Sequence, residues 1–484
     1  MGKYYVTTSI PYVNGDPHIG FAMELLYADV LARWARQRGD DVIFCTGTDE
    51  HGGKVAEKAL EQKLEPKAYT DKVSLRFQEL GKLLNVSNNR FIRTTDAGHE
   101  QRSQLIWKKL AGDIYKSKYV GWYCTGDEAF VTETEVKANK GVCPNHNRPY
   151  EKIEEENYFF KLSQYTDAIT EAINKDVYEV VPATRRNEIL GILKEGLEDI
   201  SISRPADKIG WGIPVPGDKT QVMYVWFEAL MNYITVLGYP EHEDFKQYWP
   251  ANVHVIGKDI IRFHAAIWPA MLLSLKLPLP KQLYVHGFIT VEGKKMSKSL
   301  GNVVHPADVV KKYGVDACRY YFLKHMPSYE DGDFSWKRLE GAYNNELANE
   351  LGNAVQRTVA MFLQYQNGII GDTPSAEHDI AQYETAMAAC RFDQALNEVW
   401  EQVRGLNQYI DEEKPWVIAK EDDKDHLREV LAYQASSLLN IAQLLEPFLP
   451  ETAAKIKTTF GSGAVKPLKT TLFPKHEAAA KPTK

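Results

Sequence analysis

The sequence predicts an α/β chain: a doubly wound parallel sheet, broken by a small insertion and followed by an all-α helical bundle. Three observations predict it. Over the first 120 residues, β-rich and helical segments alternate, the pattern of a parallel sheet covered on both faces. From about Lys116 to Asn157 the alternation gives way to Gly, Cys, Pro and charge, then resumes. After about Ser335 strand patterns vanish and apolar residues recur at helical spacing.

The elements follow in order. "KYYVTTSIPY" reads as a strand, residues 18–38 as a helix, "DDVIFCTGT" as a second strand and Gly53 to Lys63 as another helix. Residues 1–115 form the first half of the sheet domain, 116–165 the insertion and 166–334 the second half. "QVMYVWFEALMNYI", "NVHVIGKDIIRFHAAIWPAML" and "QLYVHGFITVEG" supply the resumed strands and helices. Residues 335–470 make the bundle, and 471–484 a polar tail with little to bury. In such a sheet ligands bind beyond the carboxyl ends of the strands, here on the loops after Ile10 and Cys45.

Composition narrows the function classes. With 484 residues, 44% hydrophobic and 25% charged, the chain can build two or more domains around a sizeable core. No apolar run approaches the roughly 20 residues of a membrane span, and the N-terminus lacks a signal-peptide pattern, so a cytoplasmic location without membrane is expected. Five cysteines do not suggest a disulfide framework. A net charge of -7 speaks against indiscriminate nucleic-acid binding but allows a local surface for one RNA.

Two segments carry phosphate chemistry. In "NGDPHIGFA", Asp16 is expected to cap a helix and Pro17 to open it, with His18 on the first turn. A helix N-terminus facing a sheet's carboxyl edge is an anion site. In "GKKMSKSLGNVV", Lys294, Lys295 and Lys298 stand between Gly293 and Gly301, which read as hinges around a basic flap.

These two segments resemble the paired signatures of class I aminoacyl-tRNA synthetases. "PHIGFA" resembles the HIGH motif, and Lys295 to Ser299 match KMSKS to the letter. "SIPYVNG", "TGTDEHG", "YVWFEAL", "VIGKDIIRFH", "ELGNAVQRT" and "EEKPWVIAK" are similar, in order and spacing, to the methionyl-tRNA synthetase family over nearly the whole chain. The resemblance implies a Rossmann-like catalytic domain, a connective insertion and a helical anticodon-binding domain. It implies a ligase that converts methionine and ATP, with Mg2+, to methionyl-adenylate and then loads tRNA(Met), working as a monomer.

Residue by residue, the resemblance gives ATP to Pro17, His18, Gly20, Lys295 and Lys298, with His18, Lys295 and Lys298 catalytic. It gives methionine to Ile10, Tyr12, Asp49, Trp226, Ala229, Leu230, Tyr233, Ile260, Phe263 and His264. Asp49 would hold the ammonium, and Tyr233 and His264 would approach the sulfur. Trp226, Ala229, Leu230 and Tyr233 also fall on one helical face by spacing, as do Ile260, Phe263 and His264. The anticodon would fall to Asn353, Arg357 and Trp416, where aromatic stacking and base-edge hydrogen bonds read single-stranded RNA.

Three departures stand out. Phe21 occupies the place of the second motif histidine and cannot donate a hydrogen bond; Phe21→His is expected to keep or raise the activation rate. Leu230 replaces a proline found in some relatives. In the knuckle, the resemblance offers Cys124, Asp127, Cys143 and His146 as zinc ligands, with Asp127 in place of a cysteine; bound Zn2+ and a metal-free knuckle both stay open. The insertion is short beside the long editing inserts of isoleucine, leucine and valine synthetases, which favours methionine. A tRNA-binding paralogue with weak catalysis, or another class I enzyme, shares part of this pattern; the intact KMSKS and Asp49 argue for activation chemistry.

Overall fold

The computed structural model describes residues 2–124, 129–144, 147–296, 301–371, 379–421 and 423–475. Asp127, His146, Lys298 and the last nine residues of the expected polar tail lie outside this set.

Six strands form the main sheet: β1 (Lys3–Thr8), β2 (Asp41–Thr48), β3 (Arg90–Arg93), β4 (Glu179–Val181), β5 (Val253–Gly257) and β6 (Gln282–His286). Their order is β3-β2-β1-β5-β6-β4, and every neighbouring pair is parallel. Val6 sits in register with Phe44 on one side and Val253 on the other. The chain winds outward from β1 to β3, then returns to place β5 on the opposite side of β1. The strand order therefore reverses between β1 and β5, which opens a crevice at their carboxyl ends.

Side-chain alternation divides the apolar residues between the two faces. Tyr4, Val6, Val42, Phe44, Val253 and Val255 pack with helices α1 (Ile19–Gln37) and α3 (Pro66–Leu83), α2 being Gly53–Glu61. Tyr5, Ile43, Cys45, Ile256, Leu283 and Val285 pack on the other side with α4 (Ala97–Lys109), α5 (Val225–Leu230) and α6 (Trp268–Ser274). The first core runs on without a break into helices on both sides of the last strand, Gly332–Phe334. These include α7 (Val315–Lys324), α8 (Asn353–Tyr365), α9 (Phe392–Glu413), α10 (Lys424–Leu445) and α11 (Pro450–Phe460).

Helix α1 is buried almost all round, so even its acidic residues need partners. Asp29 accepts from the Ser87 N–H and Oγ and from Arg33, and pairs with Arg319 at 2.8 Å with neither side chain exposed. Burial raises the Asp29 pKa, but Arg319 and Arg33 outweigh it and hold the carboxyl below its ordinary value. Arg319, on α7, also donates to the carbonyls of Leu84, Pro447 and Phe448. One guanidinium thus ties α1 to the turn between α10 and α11.

The insertion's long antiparallel pair, Ile114–Cys124 and Glu151–Phe160, belongs to a four-stranded antiparallel sheet to which Ile200–Ser201, from beyond the insertion, adds an edge strand. No described helix is long and apolar enough to cross a membrane.

Candidate active site

The first strand ends at the crevice with Ser9, whose N–H and Oγ both donate to Glu24 Oε1, at 2.7 and 2.6 Å. Glu24 lies on α1, and its other oxygen is 3.0 Å from His286 Nε2 at the end of β6. Burial lowers the His286 pKa, but the hydrogen bond and charge of Glu24 outweigh it and raise it. A buried carboxylate therefore pins β1, α1 and β6 together beside the crevice.

Helix α1 does not start as the sequence suggests. Asp16 forms an ion pair with Arg76 instead of capping, and Pro17 precedes the helix. His18 is the cap: its Nδ1 accepts the Gly20 N–H at 3.1 Å. A side chain at Gly20 would meet the imidazole, a Cβ there lying 2.9 Å from His18 Cε1, so glycine leaves room for the cap. Partial burial and the nearby His305 lower the His18 pKa, so the cap nitrogen is a lone-pair acceptor at neutral pH. Phe21 turns inward, its ring 5.4 Å from Phe77 of α3 at 70°. Here the second ring of the motif is a core element.

The apolar side of the crevice gathers the residues expected for methionine. Trp226 stacks on Phe263 at 4.4 Å and 20°, both half-buried. Ile10, Tyr12 and Ile260 are partly buried against the same core, in which Leu230 and Tyr233 lie; Ala229 is buried as well. The segment after β5 is not one α-helix: Lys258–Ile260 is a 3-10 turn, and Phe263–Ile267 winds as a π-helix. Wider turns of this kind recur at functional sites because they re-aim side chains. Here His264 Nδ1 lies 3.0 Å from the Ile260 carbonyl, to which only a protonated nitrogen can donate. Its Nε2 then accepts from the Tyr233 hydroxyl at 2.7 Å. Burial pushes the His264 pKa down to about 4, so this wall is uncharged at neutral pH.

Asp49 closes the other side. It is buried, its N–H donates to the Pro11 carbonyl at 2.9 Å, and its carbonyl accepts the Val13 N–H at 3.1 Å, so the loops after β1 and β2 are stitched together. Thr94 Oγ1 is 3.5 Å from Asp49 Oδ1. The next residue, Glu50, receives two hydrogen bonds from Arg93 and one each from Thr48 and Thr95. Burial raises its pKa, and these donors more than reverse the effect. Sequence reasoning missed Glu50, His51 and Glu228; the runs "TGTDEHG" and "YVWFEAL" that contain them were the signal.

The basic flap begins from a short hairpin, Lys294–Lys295 against Ile289–Val291, with Lys295 exposed. Gly293 and Gly301 take φ of 74° and 64°, a region glycine enters freely. Asp333 holds the hairpin, accepting from the Gly293 N–H at 2.7 Å and from Thr290 Oγ1 at 2.7 Å.

At the far end, on the helical bundle, Arg357 pairs with Asp411 at 2.7 Å and lies 5.7 Å from the half-buried Trp416 ring. Asn353 is exposed at the start of the same helix, α8. In the insertion, Cys124 and Cys143 are buried in one small cluster with Val136 and Tyr150. Among the described residues no three His, Cys, Asp or Glu side chains converge as a metal site.

Comparison with known proteins now places the chain. The family model described as tRNA synthetases class I (M) matches residues 4–152 and 146–359, and the anticodon binding domain of methionyl tRNA ligase matches 373–475. The chain belongs to the class I methionyl-tRNA synthetase family. It is 45% identical to the methionine–tRNA ligase of Caldanaerobacter subterraneus over 95% of this chain and 74% of that one. It is 43% identical to the enzyme of Brucella melitensis over 94% and 91%. The Mycobacterium tuberculosis methionyl-tRNA synthetase in complex with methionyl-adenylate superposes with a TM-score of 0.91 at 38% identity, covering 98% of this chain and all of that one. The free form of that synthetase gives 0.86 at 34% identity, covering 99% of each chain.

Proposed function

We propose that the crevice activates methionine with ATP and that the chain then transfers the methionyl group to the 3'-terminal ribose of tRNA(Met). The observation that carries this reading is a buried carboxylate, Asp49, opposite an uncharged aromatic wall at the strand-order reversal. An ammonium needs the former; a thioether, polarizable and a weak acceptor, suits the latter. Trp226 and Phe263 cover the apolar chain, and the Tyr233–His264 pair faces the sulfur, with Ile10, Tyr12, Ala229, Leu230 and Ile260 filling the walls.

ATP lies along the α1 N-terminus, against Pro17, His18 and Gly20. The methionine carboxylate is already an anion, so no general base is required. One of its oxygens attacks the α-phosphorus, pyrophosphate leaves, and Lys295 and Lys298 offset the charge on the departing group. Magnesium, when bound with ATP, neutralises the phosphates. In the second step a ribose hydroxyl attacks the activated carbonyl and AMP leaves. Asn353, Arg357 and Trp416 read the anticodon; the stacking plane of Trp416 beside a guanidinium supports that role.

The burial of Cys124 and Cys143 in one small cluster in the insertion supports a knuckle, in which zinc would be held with Asp127 and His146 at reduced affinity for want of a third thiolate. Metal analysis of protein purified without chelator tests it, and less than about a tenth of a zinc per chain ends the metal reading. Cys45, Cys318 and Cys390 are buried free thiols, in keeping with a reducing cytoplasm, and we take the chain to act as a monomer.

The first test is pyrophosphate–ATP exchange with methionine, leucine, isoleucine, valine, cysteine and homocysteine. Strong exchange with methionine alone, homocysteine trailing, is expected, since one methylene discriminates by roughly 1–3 kcal/mol. No exchange with any of them would favour a tRNA-binding paralogue.

A further inference from the structure

Behind the crevice, a buried charged cluster joins the two segments that hold opposite sides of the ligand. Glu228 lies two residues from Trp226 on α5, hence on the far face of that helix, and is fully buried. Its Oε1 is 2.7 Å from Nδ1 of His51, two residues beyond Asp49. Its Oε2 is 2.8 Å from Nε2 of His99 on α4, whose Nδ1 in turn is 2.8 Å from Thr235 Oγ1. Ser103 Oγ approaches His99 Nε2 at 3.2 Å, and Glu100 lies 3.6 Å from His51 Nε2. The Trp211 indole sits 5.5 Å from the His51 ring and donates to the Glu50 carbonyl, bracing the loop from its other side.

We infer that Glu228 is a positioning residue for methionine: through His51 and His99 it fixes the spacing between the Asp49 loop and the Trp226 helix without touching the substrate. The inference rests on reading the crevice as the methionine pocket. Burying a carboxylate between two imidazoles is costly, and an apolar trio of similar volume would hold α5 to α4 at least as firmly. What the charged trio adds is direction. Each carboxylate oxygen has one designated donor on a different element, so the loop cannot slide along the helix without breaking a short hydrogen bond. Because Asp49 and Trp226 sit two residues from the ends of this link, any slippage falls on the gap that the ligand must fill, where displacements of about 1 Å are expensive. Burial lowers the His51 pKa, but the charge and hydrogen bond of Glu228, with Glu100 and Asp49 nearby, carry it up to about 10, so the link stays charged through the neutral range.

The test is steady-state exchange kinetics on Glu228→Gln in the full-length protein. The carboxamide keeps the shape but has a single acceptor oxygen, so one imidazole faces an NH2 group and loses its partner. Methionine KM is expected to rise tenfold or more, while ATP KM and kcat stay within about threefold. A methionine KM within twofold of the unmutated value in folded Glu228→Gln would overturn the inference. So would a joint rise of both KM values with a fall in kcat, the mark of general loosening. If Glu228→Gln does not fold, His51→Gln, cut from the loop side, is read by the same split. Unmutated protein without methionine-dependent exchange would overturn the functional reading and this inference with it; normal exchange with an unaltered variant overturns this inference alone.

Discussion

Replacing Phe21 by histidine restores the motif letter but, in this fold, puts an imidazole where a phenyl ring is packed. Phe21 is buried, and its edge-to-face contact with Phe77 joins α1 to α3. Losing a well-placed aromatic pair costs about 0.5–1.5 kcal/mol. Burying ring nitrogens without partners costs about 1–3 kcal/mol more, on the scale of protein mutational data. The sum, about 2–4 kcal/mol, lowers the melting midpoint by roughly 5–15 °C, at about 2–4 °C per kcal/mol for a domain of this size. The loss grows below pH 6.5, where an unfolded histidine takes up a proton that the buried one resists. Thermal melts at pH 8 and pH 6 measure both effects, and exchange at 25 °C measures activation per folded molecule, which is expected to stay within a few-fold because His18 keeps its place. Phe21→Leu, apolar but smaller, should fall between the two proteins and lack the pH dependence. A melting point unchanged within 2 °C together with a raised exchange rate would refute the reasoning, since it would mean that the new imidazole reaches the ATP side of α1.

Other perturbations separate the remaining parts. Trp416→Ala should lower aminoacylation at least tenfold and leave pyrophosphate exchange within twofold; equal losses would make Trp416 a packing residue. Gly20→Ala should displace the His18 ring from its cap, costing about 1 kcal/mol and raising the ATP KM, as read by melting and exchange kinetics. The folded pKa of His264, about 4, lies below its unfolded value near 6.5, so the stability tied to its neutral form is complete above pH 6.5 and drains away as pH falls toward 4. At pH 5 that amounts to about 2 kcal/mol. Burial also lowers the pKa of His254, whose ring lies 4.2 Å from that of Tyr233, so the acid limb is shared, and His264→Gln should remove its own part of the slope in urea titrations. His51 has the opposite sign: its folded pKa is raised, so its contribution is complete below pH 6.5 and is lost as pH climbs toward 10, and His51→Gln should flatten the alkaline limb of the same titrations.

What the sequence made legible was decided by how local each cause is. The sheet could be read because alternation is a property of neighbours: Tyr4 and Val6 face one core and Tyr5 the other, as a period of two requires. The hinges at Gly293 and Gly301 could be read because a positive φ is a demand on one residue. Ile260, Phe263 and His264 were read as one helical face, yet the segment winds as a 3-10 turn and then a π-helix, in which His264 contacts the Ile260 carbonyl and the Tyr233 hydroxyl. Asp16 had every local qualification to cap α1 and lost the place to His18, because Arg76 lies across from it, 60 positions away.

The same rule accounts for the residues that were not foreseen. Glu228 and His51 are 177 positions apart, and nothing in the neighbourhood of either announces the other. They meet because β2 ends at the same sheet edge beside which α5 lies, and the two histidines then provide the donors without which a buried carboxylate at position 228 could not be tolerated. Phe21 follows the same logic in apolar form. Compared with a motif letter it looks like a missing hydrogen-bond donor; set against Phe77, on the next long helix, it is a ring in its proper place. A departure from a motif therefore weakens a functional reading only when the departing side chain still faces the ligand, and the burial of Phe21 turns it away.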